Sequence, residues 1–158
     1  MEKQDFNVEQ EYSETVVQIN RISKKTKGGN TIRFSALVVI GDKNGKVGAG
    51  LSKGSDVRQA ITKAIKYAKR RMVEVPRRGT TIPYEIYKKY GAAKVLLMPA
   101  PAGSGIIAGG PVRVVLEAAG IDDAAAKILG TKNKITNVYA TIEALNDLKK
   151  ITDRKAKK

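Results

Sequence analysis

An alternating run, Ile32, Phe34, Ala36, Val38 and Ile40, constrains this chain most, because a period of two puts all five side chains on one face of a β-strand. A second apolar run, Val16, Val17, Ile19 and Ile22, precedes it. Between them lies KKTKGGN, residues 24–30. The pattern predicts a hairpin, with a first strand from about Thr15 to Ser23, a tight turn at the Gly pair, and a second strand from Thr31 to Ile40. Asn44-Gly45 is a strong turn signal leading into a short Gly-rich third strand within GDKNGKVGAG.

Ser55-Asp56 then offers an N-cap for VRQAITKAIKYAKRRMV. At helical spacing Val57, Ala60, Ile61, Ala64, Ile65, Ala68 and Met72 form one stripe. Arg58, Lys63, Lys66, Lys69 and Arg70 fall on the other side. The expected unit is a sheet with one helix on it, apolar inward and cationic outward. VEVPRRGTTIP reads as a linker, since Pro76 and Pro83 bracket it and no period persists. Beyond it Lys94–Met98 is a short buried strand and PAPAGSGIIAGG a Gly-rich loop. PVRVVLEAAG is a helix with Pro111 near its start and Gly120 at its stop. A last helix runs from about Lys134 to Lys149.

Charge decides the class of partner. Thirty Lys+Arg against fifteen Asp+Glu give +15 and a pI near 10.0, and segment 15–79 alone holds sixteen basic and three acidic side chains. Such an imbalance favours a polyanion, nucleic acid first and an anionic membrane surface second. No apolar run reaches the roughly 18 residues of a membrane span and no targeting signal is visible, so a soluble, cytoplasmic protein is expected. Cysteine and histidine are absent, which closes disulfides, zinc fingers, thiol nucleophiles and histidine acid-base chemistry.

Two constellations follow. Arg21, Lys24, Lys25, Lys27 and Arg33 cluster with no acidic residue between positions 15 and 41, and self-repulsion of that kind is relieved by an anion. Gly28 and Gly29, followed by Asn30, let backbone come close to a phosphate. GSGIIA at 103–108 fits GxGxxA after an apolar strand, with Asp122-Asp123 downstream. That match is poor, because Pro99 and Pro101 interrupt the junction and the helix is expected to begin only at Pro111. Two rivals to an assembled RNA-binding component stay open on residues alone: a free-standing nucleic-acid chaperone, and a nucleotide-dependent enzyme built on GSGIIA.

The stretches VVQINRISKKTKGGNTIRFSALVVIGDKNGKVGAG, APAGSGIIAGGPVRVVLEAAGIDDAAAKILGTKN and NVYATIEAL, in unbroken order over about residues 12–148, resemble the bacterial form of small-subunit ribosomal protein five. The resemblance implies an α+β fold. Its N-terminal sheet plus helix would be double-stranded-RNA-binding-domain-like, and its C-terminal β-α-β domain would have a left-handed crossover. The chain then divides into a flexible acidic N-terminus (1–11), an N-terminal RNA-binding domain (12–78), a C-terminal domain (79–151) and a basic tail (152–158).

The same resemblance implies a non-enzymatic component of the small ribosomal subunit, with no cofactor and no metal. It would bind 16S ribosomal RNA, meet small-subunit proteins four and eight, join head to body, line the side where messenger RNA enters, and influence translational accuracy. The RNA contacts implied are Arg21, Lys24, Lys25, Lys27, Gly28 and Gly29, and the reading of turn, third strand and helix adds Asn30, Arg33, Lys46, Lys53, Arg58 and Lys66 as expected contacts. Gly103, Ser104, Gly105 and Arg113 would face protein four and the central RNA. Ala49 stands where the family usually has an aromatic residue, which counts against base stacking there.

Overall fold

The N-terminal half folds as an antiparallel meander of β1 (Ser13–Thr26), β2 (Gly29–Gly41) and β3 (Lys46–Gly54), then α1 (Val57–Arg70) and a two-residue strand β4 (Val73–Glu74), with sheet order β1-β2-β3-β4. The computed structural model describes residues 12–156. The expected acidic N-terminus, residues 1–11, and the last two residues of the expected basic tail lie outside the described residues. Both hairpin strands extend further than the apolar runs. Pairing continues through Lys24↔Thr31 and Lys25↔Asn30 to Thr26↔Gly29, because a two-residue connection, Lys27-Gly28, closes the ladder at the tip. A bulge between Val16 and Gln18 turns Val17 toward the core.

Asp56 caps α1 by accepting a hydrogen bond from the Gln59 backbone N–H at 2.6 Å. The helix sits unusually close to β3 because small residues face each other. Ala60, Ala64 and Ala68 are fully buried. A Cβ added at Gly48 would lie 2.6 Å from the Ala68 carbonyl oxygen, one at Gly54 would lie 2.7 Å from the Ala60 nitrogen, and one at Gly50 would overlap the Ala64 carbonyl. The alternation in β2 marks a buried face only at its C-terminal end. Val38 and Ile40 pack under α1, whereas Ile32 is exposed and Phe34 half-exposed, since the helix begins too late in the fold to cover them. The opposite face is buried too, with Leu37 and Val39 in a core shared with the C-terminal half.

That half comprises β5 (Ile86–Tyr90), β6 (Ala93–Pro99), β7 (Ile106–Ile107), α2 (Gly110–Ala119), β8 (Ala124–Ile128) and α3 (Lys134–Ala156). Its sheet has the order β5-β6-β8-β7, antiparallel except for the parallel pair β7/β8, so β7-α2-β8 is the expected β-α-β unit. The fold is therefore α+β with two sheets. Strands β5 and β8 carry little sequence signal. Ile86–Tyr90 is mostly charged or tyrosine, and Ala124–Ile128 is mostly alanine, a residue depleted in strands, so tertiary pairing with β6 sets both. Helix α3 continues past Lys149 to Ala156. Its end is held by Lys155, whose Nζ lies 3.8 Å from the centroid of the Tyr84 ring.

One core cluster joins the halves, with Leu37, Val39, Val47 and Ala49 of the first sheet packed among Val112, Val115, Leu116, Ala119, Leu145 and Leu148. Backbone hydrogen bonds reinforce it. The β2–β3 turn presents the Lys43 and Gly45 N–H groups to the Ala118 and Ala119 carbonyls at 3.0 and 2.9 Å, satisfying acceptors at the end of α2. Asp42 shapes that turn by accepting from the Asn44 and Lys46 N–H groups at 2.8 and 2.9 Å. Gly120 follows α2 in the left-handed region (φ 85°) and packs directly on Lys43, where a side chain would collide.

Candidate nucleic-acid interface

Beyond Ser35 the β1–β2 hairpin leaves the body of the protein. Arg21, Lys24, Lys25, Lys27, Gly28, Gly29, Asn30 and Arg33 are all exposed, and among the described residues none of these cations has an ion-pair partner. Residues opposite each other in the ladder share a face. Arg21 and Lys25 therefore lie with Ile19, Ile32 and Phe34 on the α1 side, while Lys24 and Arg33 lie with Ile22 on the other. The finger is cationic all round, as insertion between two polyanionic surfaces requires. Thr26 fixes the tip by donating from Oγ1 to the Gly29 carbonyl at 2.9 Å, and Gly29 has a positive φ of 131°.

Lys53 pairs with Ser35 at the base of this finger. Arg58 and Lys66, on α1, are exposed nearby. Lys46 is not part of the group. It opens β3 at the opposite end, half-buried and paired with Glu74, beside the bond of 3.0 Å from Lys149 Nζ to Glu74 Oε2. Hydrogen bonding and the charge of Lys149, with a smaller effect of Lys46, hold the Glu74 carboxyl below the usual carboxylate range. Ala49 is buried in the shared core, at the floor of a cleft whose other walls include Arg71, Tyr90 and Tyr139.

The Gly-rich loop is tied down by its own side-chain and backbone bonds, not arranged around a ribose. Asp123, buried, accepts from the Gly105 N–H at 2.8 Å through Oδ1 and from Thr80 Oγ1 at 2.5 Å through Oδ2. The Thr80 hydroxyl, then the Gly105 and Gly103 backbone, hold its carboxyl below the usual range. Thr80 in turn accepts at its carbonyl from the Asp122 and Asp123 N–H groups, both at 3.0 Å. The carboxylate that a dinucleotide site would offer to a ribose is thus spent on the loop itself. Strand β7 also intervenes between Gly105 and α2, which breaks the strand-turn-helix order that the motif needs. Gly103 and Ser104 are exposed at the loop tip, and Arg113 is exposed on α2, bonded to Glu117 at 2.9 Å. Among the described residues no group of acidic side chains could hold a metal ion, and no helix is long and apolar enough to cross a membrane.

Residues 12–76 match the family described as Ribosomal protein S5, N-terminal domain, and residues 88–158 match Ribosomal protein S5, C-terminal domain. The chain belongs to the ribosomal protein S5 family. It is accordingly a structural, non-enzymatic component of the ribosome that binds ribosomal RNA in the small subunit. Membership removes the nucleotide-dependent enzyme, as the occupied Asp123 already argued. Sequence reasoning recognised the cationic outer face of α1 but passed over Tyr67 within it. A lone tyrosine among lysines on a helix carries no periodic signal, and only the fold shows that its ring stays uncovered.

Proposed function

We propose that this chain bridges head and body of the small subunit, with the β1–β2 finger on 16S ribosomal RNA at one end and the Gly-rich loop with the start of α2 at the other. The observation that carries this reading is the placement of those two surfaces along β1. The finger tip follows Thr26, whereas Ser13 and Thr15, at the opposite end of the strand, line a cleft with Gly105, Ile106 and Arg113. Fourteen residues at about 3.3 Å each separate the two by roughly 45 Å along the strand. A strand paired along the length of β2, which is itself anchored in the core shared by both halves, is suited to hold two RNA bodies at a set spacing. Lys53, Arg58 and Lys66 widen the RNA surface at the base of the finger; Lys46 does not extend it.

The C-terminal half, which exposes Ile107 and Leu129, is the side we assign to small-subunit proteins four and eight. In this arrangement the protein lines the side where messenger RNA enters, and the loop around Gly103 influences decoding accuracy. Gly103 has a φ of 90°, with open space where a Cβ would stand, so Gly103→Arg strains the loop tip without entering the core. Misreading measured with a reporter should change while the melting temperature falls by only a few degrees; a variant that fails to fold would make this glycine purely structural.

Because the chain has no cysteine, Lys27→Cys and Ser104→Cys each give one site for a hydroxyl-radical-generating iron chelate. In assembled small subunits the two probes should cleave 16S ribosomal RNA in different domains, one in the head and one in the body. Cleavage confined to a single domain would refute the bridge.

A further inference from the structure

The cationic face of α1 is two surfaces. Ile61, Ile65 and Met72 pack, as Tyr12 does, against the buried cluster of Val38, Ile40, Ala64 and Ala68, and on that flank Lys69 Nζ lies 5.9 Å from the centroid of the Tyr12 ring. Lys63, Lys66, Tyr67 and Arg70 turn toward the other, at the i, i+3, i+4, i+7 spacing that puts side chains on one face of a helix. There they meet β3. Strand β4 pairs only with Lys46 and Val47, so no strand covers the end of β3 that carries Ser52 and Lys53. The result is a cleft of about 420 Å³ walled by Ser52, Lys53, Lys63, Lys66, Tyr67 and Arg70.

Its chemistry is lopsided. Four cations and no carboxylate line it, and none of the four has an ion-pair partner among the described residues. Lys66 stands three residues from Lys63 and four from Arg70, spacings at which like charges repel along a helix. Tyr67 is 47% exposed and, among the described residues, has no hydrogen-bond or ring partner. An uncovered aromatic ring set inside a ring of unpaired cations is the arrangement by which proteins hold a nucleotide, stacking its base and neutralising its phosphates. In an A-form duplex the bases are already stacked on each other, so a ring inside a cleft reaches only a base that is bulged or unpaired.

We propose that this cleft, where the RNA surface continues from the base of the finger onto α1, takes an unpaired nucleotide by stacking its base on Tyr67 while Lys53, Lys66 and Arg70 meet the flanking phosphates. It rests on the RNA-binding role proposed above and adds a selectivity that the finger, cationic on every side, does not supply.

The test uses the full chain and a short RNA duplex with and without one bulged 2-aminopurine, whose fluorescence is quenched on stacking. Wild type should bind the bulged duplex about tenfold more tightly than the paired one and quench the probe. Tyr67→Leu should lose the quenching and the tenfold preference yet keep its affinity for the paired duplex. Tyr67→Phe should restore both, which separates stacking from any structural role of the residue. Lys24→Ala/Lys25→Ala/Lys27→Ala should weaken both duplexes alike and keep the quenching. Equal binding and quenching by wild type and Tyr67→Leu would overturn the cleft proposal alone, whereas failure of wild type to bind either duplex would overturn the RNA reading beneath it. Tighter binding to polyglutamate than to bulged RNA of equal charge would assign the cleft to an acidic protein and likewise overturn it.

Discussion

Asp123 shows how far a single residue can be read from sequence. Its place downstream of GSGIIA suggests a ribose ligand, but its neighbours make it the clamp of the Gly-rich loop. A carboxyl held below its usual range stabilises the fold fully above the unfolded-state value, and that contribution is lost as pH falls through the lowered folded-state value. Asp123→Asn keeps the shape but not the charge. It should melt below wild type at pH 7, and the gap should begin to close as pH drops below about 4, where the unfolded-state carboxyl takes up a proton, and vanish once pH lies under the lowered folded-state value. A gap independent of pH in parallel thermal melts would show that the charge contributes nothing. Ala49 teaches the converse. Its smallness was visible, but its burial between the two halves was not, because nothing local marks which face of β3 meets the second half.

At the scale of elements, the hairpin, the Asp56 cap, the Pro111–Gly120 helix and the inner stripe of α1 were legible, since each rests on local chemistry: period, turn residues and caps. The closeness of α1 to β3 was not. Gly48, Gly50 and Gly54 look like a loose Gly-rich strand until the alanines opposite are known. Gly50→Val should lower unfolding free energy by about 3 kcal/mol, because the Ala64 backbone must move. Gly28→Ala, with open space around it, should change it negligibly; urea titrations of the two variants give the comparison. The finger should behave as a stability-neutral element. Replacing Lys24, Lys25 and Lys27 with Ala should leave those titrations unchanged, while the slope of log K against log salt for ribosomal RNA flattens by roughly two to three units. An unaltered slope would mean that these lysines meet no phosphate.

For the whole molecule, the shared core makes the halves one cooperative unit despite their two sheets. Leu116→Ala, in α2, should cost about 2–5 kcal/mol. The loss should appear equally in hydrogen exchange of β2 and of β6, because Leu116 packs in the cluster that holds Leu37 and Val39. Two separate transitions in calorimetry would contradict that unity. From the sequence alone came the charge and its concentration in 15–79, the meander with its helix, and the family resemblance, all properties of composition or of neighbours within a few residues. Only the tertiary structure decided that β2 is buried on both faces, that Ala124–Ile128 is a strand, that Asp123 ties down a loop and that Tyr67 lies in a cationic cleft. Each of these depends on contacts between residues far apart along the chain, and no local pattern encodes which distant surface a side chain will meet.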